Sequence, residues 1–319
     1  MFLLLAAGLL AAAFFLIPQA PTTLIRDEES LQRRGGYKAS FALRVELPPE
    51  YVMPETITQG EMATFYFRRL PPGGKPVLEL NMDFQPQFFP LEDGYVTYLP
   101  THYGTAAGEY RLVYGLEGEA LEESVLVILP RQFHVQHLSI DPSIEAATRN
   151  DAAYEQFARF YPKSRETSAE ERLYSEPFLT PVPGQLTTEF GQTRYVNNAP
   201  TSSRHSGLDI AAPAGTPVLA VNSGRVTLSM ELTLTGNTVV IDHGQGLFSV
   251  YYHMHELMAE EGSLVERGAQ IGTVGSTGFS TGPHLHLIIS YYQFNLEPGY
   301  FLVGEPITFE NYHRFLGGE

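Results

Sequence analysis

The sequence predicts a mainly β protein: an N-terminal immunoglobulin-like β-sandwich, a helical connector and a C-terminal antiparallel β-sheet domain. Three observations predict it. Short alternating or apolar runs recur between turn-formers over much of the chain. Gly (29) and Pro (23) are frequent, Tyr (18) and Phe (20) are plentiful, and long helical heptads are absent. The length of 319 residues suggests two domains, each large enough to bury a core.

Residues 1–20 read as a signal peptide or membrane anchor. From Phe2 to Ile17 the chain is uncharged and apolar, and Pro18 bounds the run. That is short of the roughly 20 residues that span a bilayer comfortably and fits the apolar core of a secretory signal. No Lys or Arg precedes it and Pro18-Gln19-Ala20 is a poor cleavage site, so the anchor stays open. The protein is expected to be exported, meeting a membrane only through this segment if it is not cleaved. Residues 21–40, with RDEESLQRRGG, form a polar linker.

Residues 41–130 carry the runs FALRVEL, ATFYF, VLELNM, YVTYL, EYRLVY and SVLVIL, separated by turns such as Pro71-Pro72-Gly73-Gly74 and Glu92-Asp93-Gly94. Strands this short at this spacing predict the sandwich. Residues 131–176 form the connector. Within it, Tyr154, Phe157, Ala158 and Tyr161 recur at helical spacing, with Ser143 as cap and Pro162 as stop. The following KSRETSAEERL is polar and reads as solvated. Residues 177–303 are rich in glycine and in strands such as PVLAV, TVVIDH, FSVYYH and HLHLIIS, and 304–319 form a tail.

Composition excludes some chemistry. The formal net charge is −16 with no basic block, so the cationic footprint of a nucleic-acid binder is missing. There is no cysteine, which rules out disulfides and thiolate metal sites; a transition metal must be held by His and carboxylate. Six of the ten histidines fall between His205 and His286.

In His205-Ser206-Gly207-Leu208-Asp209, His and Asp four apart can share a face of a strand or its lead-in, and Gly207 and Pro213 argue against helix. His284 and His286 are two apart after a Gly-Pro turn, so both imidazoles point to one side of a buried strand. Burying such a pair calls for a partner, and a metal such as zinc supplies one. His253 and His255 are also two apart and are expected to face the same way. His243 sits in the hairpin turn Asp242-His243-Gly244-Gln245-Gly246, where a structural or solvent role is expected.

The segments RHSGLDIAAPAGTPVLAVNSGRV, GNTVVIDHGQGLFSVYYHM and VERGAQIGTVGSTGFSTGPHLHL resemble, in order and spacing, the lysostaphin/LytM-type zinc peptidases. The resemblance covers roughly 178–302. It implies one Zn²⁺ per catalytic domain, held by His205, Asp209 and His286. It places His284 and His253 beside the reacting water, with His253 as general base and an exchange of roles left open. All five positions are filled. Met254 stands where Leu is common, and Leu287 and Ile288 replace a frequent aromatic and acidic pair. Asn237, Tyr195 and the extra His255 are candidates for substrate contact.

The implied function is hydrolysis of peptide bonds in bacterial peptidoglycan, with the enzyme in the periplasm, cell wall or exterior and the wall peptide as partner. The alternative is a non-catalytic envelope protein of the same fold that regulates other wall hydrolases. The stretch 262–272 also resembles the hammerhead of biotinyl and lipoyl carrier domains. Those modify a lysine, and no lysine follows Lys163, so the carrier reading fails on chemistry.

Overall fold

The computed structural model describes residues 47–303, which from Pro49 onward belong to one compact unit. The expected signal or anchor, the linker and the tail lie outside the described residues. Over the described part the protein is mainly β, as composition predicts.

The N-terminal region contains β1 (Glu50–Val52), β2 (Thr56–Thr58), β3 (Met62–Arg68), β4 (Pro76–Leu80), β5 (Phe89–Leu91), β6 (Gly94–Pro100), β7 (Gly108–Leu116) and β8 (Glu122–Leu129). They form two four-stranded sheets, ordered β1-β3-β6-β5 and β2-β8-β7-β4. All pairings are antiparallel except β2 with β8, which is parallel and departs from the antiparallel sandwich that the strand spacing predicts. Alternation does what it predicts on β3, where Ala63, Phe65 and Phe67 point inward and meet Leu112, Leu126 and Ile128 of the other sheet.

Strand β6 is buried on both faces. Leu99 belongs to this first core, whereas Val96 and Tyr98 join the core of the C-terminal domain. The Tyr98 hydroxyl donates to Gln245 Oε1 at 2.8 Å. A buried ion pair between Arg131 and Glu297 ties the same two regions together.

The connector departs from expectation in four ways. It begins with a strand, β9 (Val135–Leu138), which pairs in parallel with a strand of the C-terminal region. It then holds two helices, α1 (Pro142–Thr148) and α2 (Asp151–Phe160), in place of one. Asp141, not Ser143, caps α1 by accepting from the Ser143 amide, and Asn150 caps α2 by accepting from the Ala153 amide. Arg149 ends the first helix and Asn150 starts the second, a break that apolar spacing alone does not reveal. The KSRETSAEERL stretch is not wholly solvated either. Ser164 and Arg165 are buried, and Asp242 accepts from Ser168 Oγ and the Ala169 amide, strapping the segment to the sheet.

Beyond it run β10 (Phe178–Leu179), β11 (Gln185–Thr188), β12 (Thr193–Val196), β13 (Ala199–Arg204), β14 (Leu208–Ala211), β15 (Pro217–Leu219), β16 (Gly224–Leu232) and β17 (Gly236–Asp242). They are followed by β18 (Leu247–Met254), β19 (Glu256–Leu257), β20 (Leu264–Val265), β21 (Gln270–Thr273), β22 (His284–Tyr291), β23 (Phe294–Leu296) and β24 (Leu302–Val303). The main sheet, in the order β11-β14-β22-β18-β17-β16-β20 with β23 beside β22, is antiparallel throughout.

The two faces of that sheet are covered differently. Leu208, Ile210, Leu285, Leu287, Ile289 and Tyr251 point into the larger core. On the opposite face Ile288, Val250, Phe248 and Tyr252 pack beneath Tyr161 and Phe157 from α2 and its C-terminal end. The helix covers only part of this second face, and the remainder carries the histidines. Of the two roles open to His243, the structure gives the first: it is buried, with Nδ1 donating to the Ser223 carbonyl at 2.7 Å and Nε2 against Ser249 Oγ. Burial pushes its pKa down to about 4, so it is a neutral structural imidazole at physiological pH.

Candidate metal centre

Strand register builds the site. Asp209 on β14 lies opposite His286 on β22, and His286 in turn lies opposite Tyr252 on β18. Side chains directly across a ladder share a face, and His284, two residues before His286, shares it too. His205 precedes β14 and is brought in by Gly207, whose backbone passes so close to Leu287 that an added Cβ would lie 2.0 Å from the Leu287 carbonyl oxygen. Gly207→Ala must therefore push β14 and β22 apart. The expected result is a loss of about 1–3 kcal/mol, read as a Tm lowered by several degrees together with weaker metal retention.

The three expected ligands converge. His205 Nε2 lies 2.9 Å from Asp209 Oδ1 and 2.9 Å from His286 Nδ1, and His286 Nδ1 lies 2.7 Å from Asp209 Oδ1. All three residues are buried. The outward nitrogens are engaged: His205 Nδ1 donates to the Glu189 carbonyl at 2.8 Å, and His286 Nε2 sits 3.2 Å from Ser206 Oγ. A carbonyl can only accept, so His205 carries its proton on Nδ1 and aims the Nε2 lone pair inward. Two imidazole lone pairs and a carboxylate oxygen aimed at one another fit a cation, and two nitrogens with one oxygen suit zinc.

Electrostatics agree with that donor set. Burial alone would raise the Asp209 pKa, but His205 and His286, both facing its Oδ1, outweigh burial and hold it well below the usual range, so it is a carboxylate. Burial pushes His286 down to about 4 and keeps it a neutral donor. The second Asp209 oxygen accepts from Arg194 Nη2 at 3.4 Å, and Arg194 Nε donates to Gln136 Oε1 on β9. Sequence reasoning missed Arg194, whose one signal is a lone cation in an otherwise uncharged strand, TRYV.

His253 arrives by a different route. Tyr252 already faces the site, so regular alternation would turn His253 to the opposite side. Instead His253 adopts φ +63°, and the β17–β18 register slips between Asn237 and Val239. This bulge swings the imidazole round to the site, a common use of such irregularities. Its Nδ1 donates to the Thr277 carbonyl at 2.8 Å, leaving Nε2 as an acceptor. Burial, and next the neighbouring His284 and His286, depress its pKa to about 3. His284 is held the same way, Nδ1 donating to the Gly282 carbonyl at 2.8 Å, with its ring 4.7 Å from that of His253.

The bulge also corrects the expectation for His255. Alternation is lost at His253, so His255 does not face the same way; it is exposed and does not line the cleft. Asn237 does not line it either. Its side chain donates to the His255 carbonyl and its amide to Thr277 Oγ1, which holds the bulge in place. Tyr195 stacks on His137 at 4.9 Å, while its neighbours Arg194 and Val196 point into the cleft.

The cleft over the centre has a volume of about 490 Å³. Its floor is the histidine face of β14, β18 and β22, one wall is β9 and β12, and the other is the loop from Phe279 to Pro283. Tyr252 stacks on His286 at 5.2 Å and closes the inner end toward α2. A cleft of this volume, with polar groups gathered at one point of an otherwise mixed lining, suits a metal-dependent hydrolase.

Residues 203–298 match the model of peptidase family M23, and the chain carries an M23 domain. It is similar to the peptidoglycan DD-endopeptidase ShyA of Vibrio cholerae, 43% identical over 82 residues, which are 26% of this chain and 19% of ShyA. It is also similar to the DD-carboxypeptidase/endopeptidase Mpg of Neisseria meningitidis, 48% identical over 82 residues, again 26% of this chain and 19% of the relative. The chain thus matches about a fifth of the length of these relatives. A crystal structure from Pseudomonas aeruginosa assigned to peptidase M23 is 25% identical with a TM-score of 0.53; the match covers 76% of this chain and 93% of that one. This likeness extends beyond the M23 domain itself.

Proposed function

We propose that the chain is a zinc-dependent endopeptidase that hydrolyses peptide bonds of bacterial peptidoglycan, in the crosslink or the bridge. The observation that carries it is the meeting of His205 Nε2, Asp209 Oδ1 and His286 Nδ1 at the floor of a cleft inside an M23 domain. The substrate class follows from relatives named for peptidoglycan endopeptidase activity.

When bound, zinc supplies a Lewis acid that polarises the scissile carbonyl and brings the pKa of water from near 16 to about 7. His205, Asp209 and His286 hold it, one ion per domain, and the carboxylate reduces its net charge from +2 to +1. His253, neutral and with Nε2 free, accepts the proton of the attacking water and returns it to the leaving amine. His284 hydrogen-bonds the attacking water, or the substrate oxygen where negative charge develops. The wall of β9 and β12 and the Phe279–Pro283 loop confine the peptide. The paired N-terminal sheets form an immunoglobulin-like domain in this reading, and the protein works outside the cytoplasm, where its substrate lies.

The test is zinc content measured alongside release of new amino groups from purified peptidoglycan of several crosslink types, with fragments identified by mass. One zinc per chain together with new amino groups supports the proposal. Zinc bound without hydrolysis of any wall type overturns it in favour of a regulatory protein of the same fold.

A further inference from the structure

The proposed reaction leaves one part of the cleft unused. Of the described residues lining it, Asp209 is the single carboxylate, and it is committed to the metal ligands; no Glu lines it. Two arginines do, Arg149 and Arg194. In a chain of net charge −16, a cleft with this lining is a local inversion of sign, which a bound divalent ion deepens.

The two arginines are not equivalent. Arg194 is spent on Gln136 Oε1 and Asp209 Oδ2. Arg149, the residue that ends α1, is differently placed. Its Nε donates to the Tyr154 hydroxyl at 3.2 Å, and its guanidinium lies over the Phe279 ring, 4.6 Å from the centroid. Glu145 approaches Nη1 only to 4.0 Å, beyond hydrogen-bond reach, and Nη2 has no partner among the described residues. The stacked ring and the Nε bond fix the plane of the guanidinium in a residue that lines the cleft. A planar fork held in this way suits a carboxylate, which it can bind through two parallel N–H···O bonds.

We infer that Arg149 is a specificity-determining residue that binds a free carboxylate of the peptide substrate. The inference rests on the peptidoglycan reading, since wall peptides carry free carboxylates. It also gives the connector a role: the residue that selects the substrate comes from outside the M23 domain and packs against the loop that carries Phe279.

The test uses the full, zinc-loaded chain and two substrates, crosslinked peptidoglycan peptide dimers with free carboxylates and the same dimers with those carboxylates converted to amides. The native protein is expected to favour the free-carboxylate dimers in kcat/KM by roughly 10- to 100-fold, the range of a charge-assisted hydrogen bond. Arg149→Met is expected to bring that ratio near unity, and Arg149→Lys to keep part of it. Should the methionine variant fail to fold, the lysine variant decides, because a fork reduced to a point charge must lower the ratio. A native protein indifferent to amidation, or variants that lose activity on both substrates equally and keep the ratio, would overturn the inference while leaving the endopeptidase reading intact. Cleavage of neither dimer by zinc-loaded protein overturns that reading, and this inference with it.

Discussion

His286→Ala is expected to remove both zinc and hydrolysis. His286 Nδ1 touches both other ligand atoms, at 2.9 Å from His205 Nε2 and 2.7 Å from Asp209 Oδ1, so its loss opens one corner of a three-cornered site. Two donors remain, too few for the tetrahedral geometry zinc adopts with three protein ligands and one open position. The alanine also removes the ring on which Tyr252 stacks, at the floor of the cleft. Zinc by atomic absorption should fall close to zero per chain, and amino-group release should fall to background. The fold should survive, because the larger core is built on the other face of β22, by Leu285, Leu287 and Ile289. Zinc retained at full stoichiometry would show that the ligand set is wrong.

The second large effect separates catalysis from metal binding. His253 contributes none of the three converging atoms, so its variants should keep zinc and lose turnover. A positioned general base contributes about 10²- to 10⁴-fold, which at the transition state is roughly 3 to 5 kcal/mol, and the loss should lie in kcat with KM little changed. Asparagine is a better probe than alanine here. His253 has φ +63°, a conformation that Asn tolerates more readily than most side chains, so His253→Asn removes the base without adding strain. His284→Ala serves as the comparison. A larger loss there than in His253→Asn would assign the base to His284.

What could be read from the sequence follows the regularity of the backbone. His284 and His286 sit on an unbroken strand, so period-two alternation by itself places them on one face. The H-x-G-x-D element could be assigned to a strand and its lead-in because Gly207 argues against helix. Alternation fails where the chain is irregular. His253 reaches the site through a bulge and a left-handed backbone, so a two-residue spacing wrongly pairs it with His255. The same irregularity assigns Asn237 a backbone-locking task that its place at the start of β17 does not suggest.

Long-range pairing is equally hidden. Strand β9 lies in a segment whose helical spacing dominates, and its partner β12 comes much later in the chain, so nothing local marks it as a cleft wall. Arg149 and Arg194 enter the site only through that pairing and through the break between α1 and α2. The break itself is legible, since Asn150 followed by Asp151 is a helix start. Burial of Arg165 within a polar stretch is not, because its partners Gln293 and Asn295 are supplied by the far end of the domain.

The most direct measurement is X-ray absorption at the zinc edge on the full chain purified with zinc. One zinc per chain is predicted, four-coordinate, with two imidazole nitrogens at about 2.0–2.1 Å and the remaining positions filled by oxygen at about 2.0–2.2 Å. The imidazole signature should be lost or reduced in the His205→Ala and His286→Ala variants alone, and unchanged in His253→Asn and His284→Ala. Zinc absent from fully folded protein, or an imidazole shell indifferent to His205 and His286, would contradict the convergence of these side chains on one cation.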